Sequence, residues 1–108
     1  MSYELKKDQR GQFIFNLKAA NGEVILSSES YAQKASAEAG IASVRTNGPN
    51  DASYERKTSS ANQPYFVLKA QNGQVIGRSE MYSSTTARDS GIKSVQTNCT
   101  STAVKDLT

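Results

Sequence analysis

The 108-residue chain has no histidine, a single cysteine and only two prolines. Histidine is the commonest general base and metal ligand near neutral pH, so its absence removes many catalytic and metal-binding arrangements at the outset. The lone cysteine, Cys99, cannot close an internal disulfide, which fits a reducing compartment, and no histidine is available to activate its thiol. No apolar run approaches the ~20 residues that a membrane-spanning helix needs. The opening residues, Met-Ser-Tyr-Glu-Leu-Lys-Lys, include no apolar stretch of signal-peptide length. No glycine-rich phosphate loop follows a strand pattern, and the carboxylates are scattered rather than grouped as in a Ca²⁺ or Mg²⁺ loop. The expectation is a cytoplasmic, non-membrane protein with no cofactor, no metal and no catalytic residue.

What is present is a repeat. Residues 15–47 and 66–98 align without a gap at an offset of 51, and 17 of those 33 positions are identical. Phe15-Asn16-Leu17-Lys18-Ala19-Ala20-Asn21-Gly22 returns as Phe66-Val67-Leu68-Lys69-Ala70-Gln71-Asn72-Gly73. Val24-Ile25, Ser28-Glu29 with Tyr31, and Gly40-Ile41 with Ser43-Val44 all return in the second copy. Halves of about fifty residues would each be marginal alone, because short chains bury a smaller share of their surface. The expected organisation is therefore one domain, 1–108, built from repeat 1 (1–52) and repeat 2 (53–108).

Each repeat has the pattern strand, hairpin turn, strand, helix. Asn21-Gly22 and Asn72-Gly73 between apolar runs predict two-residue type I′ hairpins. That turn sets Ala19 opposite Val24, Leu17 opposite Leu26 and Phe15 opposite Ser28, all on a core face. The opposite face then carries Ile14, Asn16, Lys18, Ile25, Ser27 and Glu29, matched by Tyr65, Val67, Lys69, Ile76, Arg78 and Glu80. The alanine-rich segment from Ser30 is helical by propensity, and Ser83 or Ser84 is a candidate N-cap in repeat 2. Gly40 and Gly91 could cap these helices or lie inside them. The i, i+3 spacing of Ile41 with Val44 and of Ile92 with Val95 favours helices that run through the glycine to about Thr46 and Thr97. Tyr3-Glu4-Leu5-Lys6 and Tyr54-Glu55-Arg56-Lys57 add a strand before each repeat, and Val104-Lys105-Asp106 is a weaker third echo that closes the sheet.

The twice-repeated Phe-x-Leu-Lys-Ala-x-Asn-Gly, with Val-Ile, Ser-Glu-x-Tyr and Gly-Ile-x-Ser-Val, resembles the YegP-like family of small bacterial proteins. The resemblance runs from Tyr3 to Leu107. It implies an α+β fold of two tandem βββα-type repeats plus a closing C-terminal strand, sharing one mainly antiparallel sheet with two helices on one face. It also implies exchange of C-terminal strands between the units, and it brings no activity or catalytic residue with it. Gly77 in place of Leu26 and Arg88 in place of Ala37 are the notable departures between the copies.

Two constellations remain as candidate sites. Glu29 with Tyr31, and Glu80 with Tyr82, could be paired hydrogen-bonding sites; alternatively Ser-Glu ends a strand and the tyrosine anchors the helix. Lys18, Lys69 and Arg78 on the outer face, with Tyr65 as the one aromatic platform, could hold an anion or single-stranded nucleic acid weakly; alternatively the lysines only solvate a half-exposed sheet. The function expected first is a non-catalytic interaction or structural module using the exposed sheet face, with a protein or anionic partner. A small-molecule site or enzyme at the seam between the repeats is the other class. An apolar pocket with converging Glu and Tyr would favour the seam; a flat, wet face with lysines would favour the module. Two repeats that satisfy each other further suggest a monomer.

Overall fold

A computed structural model of the chain describes residues 1–108. Its elements follow in the order β1 (Ser2–Lys7), β2 (Phe13–Lys18), β3 (Val24–Ser28), α1 (Lys34–Asn47), β4 (Tyr54–Thr58), β5 (Pro64–Lys69), β6 (Val75–Arg78), α2 (Thr85–Asn98) and β7 (Val104–Asp106). The strands make one sheet in the order β4-β5-β6-β3-β2-β1-β7. Each repeat supplies an antiparallel three-strand meander, and the meanders join where Ser27 faces Arg78 and Ser28 faces Gly77. Only β7 runs parallel, beside β1. This is the expected α+β arrangement of two βββα units and a closing strand. The strand exchange takes place on one side only. Repeat 2 sends β7 across to β1, whereas the matching segment after α1 forms a short 3-10 turn, Asp51–Ser53, and enters β4 itself. β4 keeps a free edge.

The hairpins differ from the expected type I′ turns. Gly22 (φ 85°) and Gly73 (φ 88°) are left-handed, but Asn21 and Asn72 are not. The Gly22 N–H donates to the Ala19 carbonyl and the Ala19 N–H to the Glu23 carbonyl, both at 2.9 Å. Asn21 contributes through its side chain, which accepts the Glu23 N–H at 3.0 Å; asparagine favours turns by this bond as well as by its tolerance of positive φ. A bulge follows. Leu17 faces Leu26 as expected, but Lys18 rather than Ala19 faces Val24. The extra residue in β3 resets the alternation of the two faces. Ile25, assigned from the sequence to the outer face, therefore joins the buried cluster, while Val24, assigned to the core, is only half-buried. Ile76 and Val75 repeat the correction in β6.

Both helices run through their glycines. A Cβ on Gly40 would lie 2.7 Å from the Tyr31 hydroxyl oxygen and 2.9 Å from the Phe15 ring. Gly91 stands in the same relation to Tyr82 and Phe66. Tyr31 stacks on Phe15 with centroids 6.4 Å apart, and Tyr82 on Phe66 at 6.3 Å. Glycine costs about 1 kcal/mol of helix propensity relative to alanine, and here it makes room for a ring against the helix backbone. α1 starts later than Ser30 because Phe13 and Tyr31 exchange backbone hydrogen bonds of 2.7 and 2.8 Å, which holds Tyr31 extended. Ser84 caps α2 by accepting the Ala87 N–H at 3.0 Å, whereas Gln33 before α1 makes no side-chain cap.

α1 packs on β2, β5 and β6, and α2 on β2, β3 and β5, so each helix bridges both repeats. Beneath them a single buried cluster takes Tyr3, Leu5, Phe15, Leu17 and Val44 from repeat 1 with Tyr54, Phe66, Leu68 and Val95 from repeat 2. The other face of the sheet carries no helix.

Candidate functional site

Strand register sets out that uncovered face row by row. Across the sheet, Lys105 faces Glu4, Glu4 faces Asn16, Asn16 faces Ser27, Ser27 faces Arg78, Arg78 faces Val67 and Val67 faces Glu55. Side chains two residues along each strand share the face, which adds Lys6, Lys18, Lys57, Lys69, Ile14 and Tyr65.

The two lysines singled out from the sequence are not free cations. Lys18 pairs with Glu4 at 3.0 Å, and Lys69 pairs with Glu55, which also meets Lys57 at 3.5 Å. The hydrogen bond from Lys18 is the first cause that holds the Glu4 carboxyl below its usual range, with Lys105 and Lys6 adding to it. The Lys69 hydrogen bond does the same for Glu55. Arg78 is different: it is exposed, lies at the junction of the repeats and forms no ion pair. Tyr65, half-buried, is next to Val67 on the same face of β5. The glutamate partners were legible in principle, because Tyr-Glu-x-Lys itself recurs at the offset of 51 as Tyr3-Glu4-Leu5-Lys6 and Tyr54-Glu55-Arg56-Lys57.

The repeated Ser-Glu-x-Tyr separates into parts with different roles. The Ser28 hydroxyl accepts the Phe15 N–H at 2.8 Å and donates to the Glu29 carbonyl at 2.8 Å. Ser79 does the same between Phe66 and Glu80, at 3.0 and 2.8 Å. These serines satisfy a buried N–H where the strand pairing ends. The tyrosines brace the helices. Burial, then the charge of Glu29, raises the Tyr31 phenol above its ordinary pKa, and burial followed by Glu80 and Glu23 raises Tyr82. The Glu29 and Glu80 carboxylates take no part in this bracing.

Two hollows remain. One of about 210 Å³ lies at the seam between α1 and the β5–β6 hairpin, lined by Tyr31, Gly40, Ser43, Gln74 and Ile76 among others. It includes neither Glu29 nor Glu80, and it is smaller than the roughly 300–1,000 Å³ usual for ligand pockets. The other, about 420 Å³, is a polar hollow lined by Asn50, Ser53, Glu55, Lys69 and Gln71. The structure thus brings the lysines together with glutamates on an open sheet face, and does not bring Glu and Tyr together in an enclosed pocket. No helix is long and apolar enough to cross a membrane.

Fold and face together define a tandem-repeat α+β module with an open, charged sheet surface. Comparison places it more closely. The chain belongs to the family described as "Domain of unknown function (DUF1508)", whose pattern matches twice, at residues 8–55 and 59–106. It is 63% identical over 106 residues to the UPF0339 protein YegP of Yersinia pestis, covering 98% of this chain and 95% of the relative. The UPF0339 protein of Shewanella oneidensis is 57% identical over 106 residues, with 98% and 96% covered. The solution NMR structure of a UPF0339 protein from Shewanella oneidensis superposes with a TM-score of 0.92 at 56% identity, covering 97% of this chain and 89% of that one. The solution NMR structure of the protein of unknown function yegP from E. coli gives a TM-score of 0.93 at 54% identity, with 97% and 90% covered.

Proposed function

We propose that the chain is a non-catalytic interaction module of the cytoplasm, monomeric in dilute solution, whose outer sheet face holds an anionic partner. The observation that carries the reading is the charge of that face. Lys6, Lys18, Lys57, Lys69, Arg78 and Lys105 outnumber Glu4, Glu29, Glu55 and Glu80, and Arg78 at its centre is exposed and unpaired. An anion approaching the face would compete with Glu4 and Glu55 for the lysines and meet Arg78 directly. That competition makes the binding weak. The small seam hollow without a carboxylate supports the open face over an enclosed site.

A labelled single-stranded oligonucleotide titrated at several salt concentrations tests the reading. Three phosphate contacts through Lys18, Lys69 and Arg78 give a log–log salt slope of about −2, at roughly −0.7 per contact. One tyrosine for stacking implies slight sequence preference. The triple variant Lys18→Ala, Lys69→Ala, Arg78→Ala should lose the binding. Identical curves for variant and wild type, or no binding at low salt, would remove the anionic partner from this face.

A further inference from the structure

We propose that the free edge of β4 accepts the C-terminal strand of a second copy of this chain, in parallel, with Glu55 facing Lys105 and Arg56 facing Asp106. The template is in the molecule. β1 and β4 are equivalent strands at an offset of 51, and β7 shows what such an edge receives. On β1, Val104, Lys105 and Asp106 stand opposite Tyr3, Glu4 and Leu5. The Tyr3 N–H donates to the Ala103 carbonyl at 2.9 Å and the Leu107 N–H to the Leu5 carbonyl at 2.8 Å.

Transferred by the repeat onto β4, the same segment would stand opposite Tyr54, Glu55 and Arg56. Lys105 would meet a carboxylate, as it does at Glu4. Asp106 would meet a guanidinium where β1 offers the apolar Leu5. Both edges therefore offer Asp106 a cation, Lys34 beside β1 and Arg56 on β4; Arg56 also holds Asp89 at 3.2 Å and Asp51 at 3.4 Å, so a docked Asp106 would share it with them. In its own chain Asp106 is tied by an exposed ion pair with Lys34 at 2.6 Å, and such pairs are weak in water. All three residues of β7 are exposed.

The backbone of β4 is available. Phe66 exchanges its groups with Ser79 on the β6 side, its N–H going to the Ser79 hydroxyl and its carbonyl accepting the Ser79 N–H. Alternation then turns Tyr65 and Val67 toward β4, and leaves the N–H and carbonyl of Arg56, opposite Phe66, pointing outward. The Tyr54 N–H is taken by the Asp51 carbonyl, so the docked strand starts one bond later than on β1. Antiparallel pairing of β4 with its own copy, centred on Arg56, would instead set Arg56 against Arg56, and directly opposed like charges are unfavourable. Within one chain the tether keeps β7 on β1 at an effective concentration of order millimolar. Exchange between copies therefore shows at high protein concentration, or when the strand is supplied free.

The probe is a labelled peptide of residues 101–108, titrated into the full chain, whose own β7 fills β1. Saturable binding with slowed amide exchange at Arg56 is expected, and Arg56→Asp should weaken it about fivefold, as for loss of an exposed ion pair. A peptide carrying Asp106→Arg should recover binding to the Arg56→Asp protein. Glu55→Lys with a Lys105→Glu peptide repeats the test from the opposite face, should Arg56→Asp fail to fold. Sedimentation of the full chain should show self-association near millimolar concentration that Arg56→Asp suppresses. No peptide binding, equal binding to wild type and both variants, no recovery on charge exchange, or a monomer at every concentration would each overturn the proposal.

Discussion

The thiol of Cys99 stands against the backbone of Gly48, its own counterpart in the other repeat: a Cβ on Gly48 would lie 2.6 Å from Cys99 Sγ and 2.8 Å from Cys99 Cβ. The two residues follow α1 and α2 respectively, and each accepts a tyrosine hydroxyl at its carbonyl. Tyr3 donates to Cys99 at 2.6 Å and Tyr54 to Gly48 at 2.8 Å. The repeats meet here, so equivalent side chains would compete for one space. Only one of the two positions can carry a side chain without rearrangement.

Gly48→Ala should therefore destabilise the protein by about 1–3 kcal/mol, the range for overpacking a filled core. Its φ of −58° is ordinary for any residue, but the added Cβ would also lie 2.6 Å from the Val44 carbonyl oxygen, so part of the loss does not depend on Cys99. Cys99→Gly should lower stability in the wild type but recover part of the loss in the Gly48→Ala background. Neighbours that share a cavity are non-additive in this sense. Strictly additive denaturant midpoints for the two changes would contradict the shared space.

The same collision accounts for a departure visible in the sequence. Gly77 replaces Leu26, and in the folded chain a Cβ on Gly77 would lie 2.8 Å from the Ser27 carbonyl and 3.0 Å from the Leu26 side chain. The repeat revealed the architecture because identical residues build identical elements at Phe15, Leu17 and Gly40 and their partners. It concealed the places where the copies touch, because there the residues must differ. The bulges escaped notice for another reason: Asn-Gly fits two kinds of hairpin, and the difference of one residue moves Ile25 from the outer face to the core. Of the candidate site, the positions of Lys18, Lys69 and Arg78 on one face were legible from alternation. Their glutamate partners lie on other strands: the recurrence of Tyr-Glu-x-Lys at the offset of 51 marks Glu4 and Glu55 as equivalent positions, but their place beside the lysines depends on the register of β1 and β4, which local spacing does not show.

The two faces should differ sharply under mutation. Phe66 is fully buried beneath Tyr82 and α2, so Phe66→Ala should cost roughly 3–5 kcal/mol. Val95→Ala should cost less, since fewer buried atoms are removed. Lys69→Ala, at a half-exposed ion pair on the uncovered face, should change stability by less than about 0.5 kcal/mol. Denaturant midpoints check all three, and a Lys69 effect equal to that of Phe66 would reverse the assignment of faces.

Expression of residues 1–52 and 53–108 as separate fragments tests whether the repeats depend on each other. Each helix packs on strands of both repeats, and the buried cluster is continuous across them. Neither fragment should give the cooperative unfolding of the whole chain. A fragment that is a folded monomer of equal stability would show that the repeats are independent domains.

Stability should fall on the alkaline side, and the tyrosines at the junction set where. Burial is the main reason that the Tyr3 phenol titrates far above its ordinary 10.0, with the Cys99 thiol raising it further and Arg45 lowering it. Tyr54 is raised by burial first, then by Cys99, Tyr3 and Asp51. Burial also raises the Cys99 thiol above 9.0. All three groups are neutral when protonated, and the folded chain keeps their protons at pH values where the unfolded chain has lost them. The unfolded state then binds fewer protons, so stability declines with pH, by up to about 1.4 kcal/mol per pH unit for each such group. Their contribution is complete below pH 9, begins to fall as the unfolded thiol ionises, and falls more steeply above pH 10. Tyr3→Phe should cost about 1 kcal/mol at pH 7 through the lost hydrogen bond to Cys99, yet flatten the decline above pH 10 because one titrating group is gone. Denaturant midpoints of both proteins between pH 7 and 11 decide the matter: a flat wild-type curve, or an unchanged slope in Tyr3→Phe, would mean that these phenols do not govern the alkaline limit.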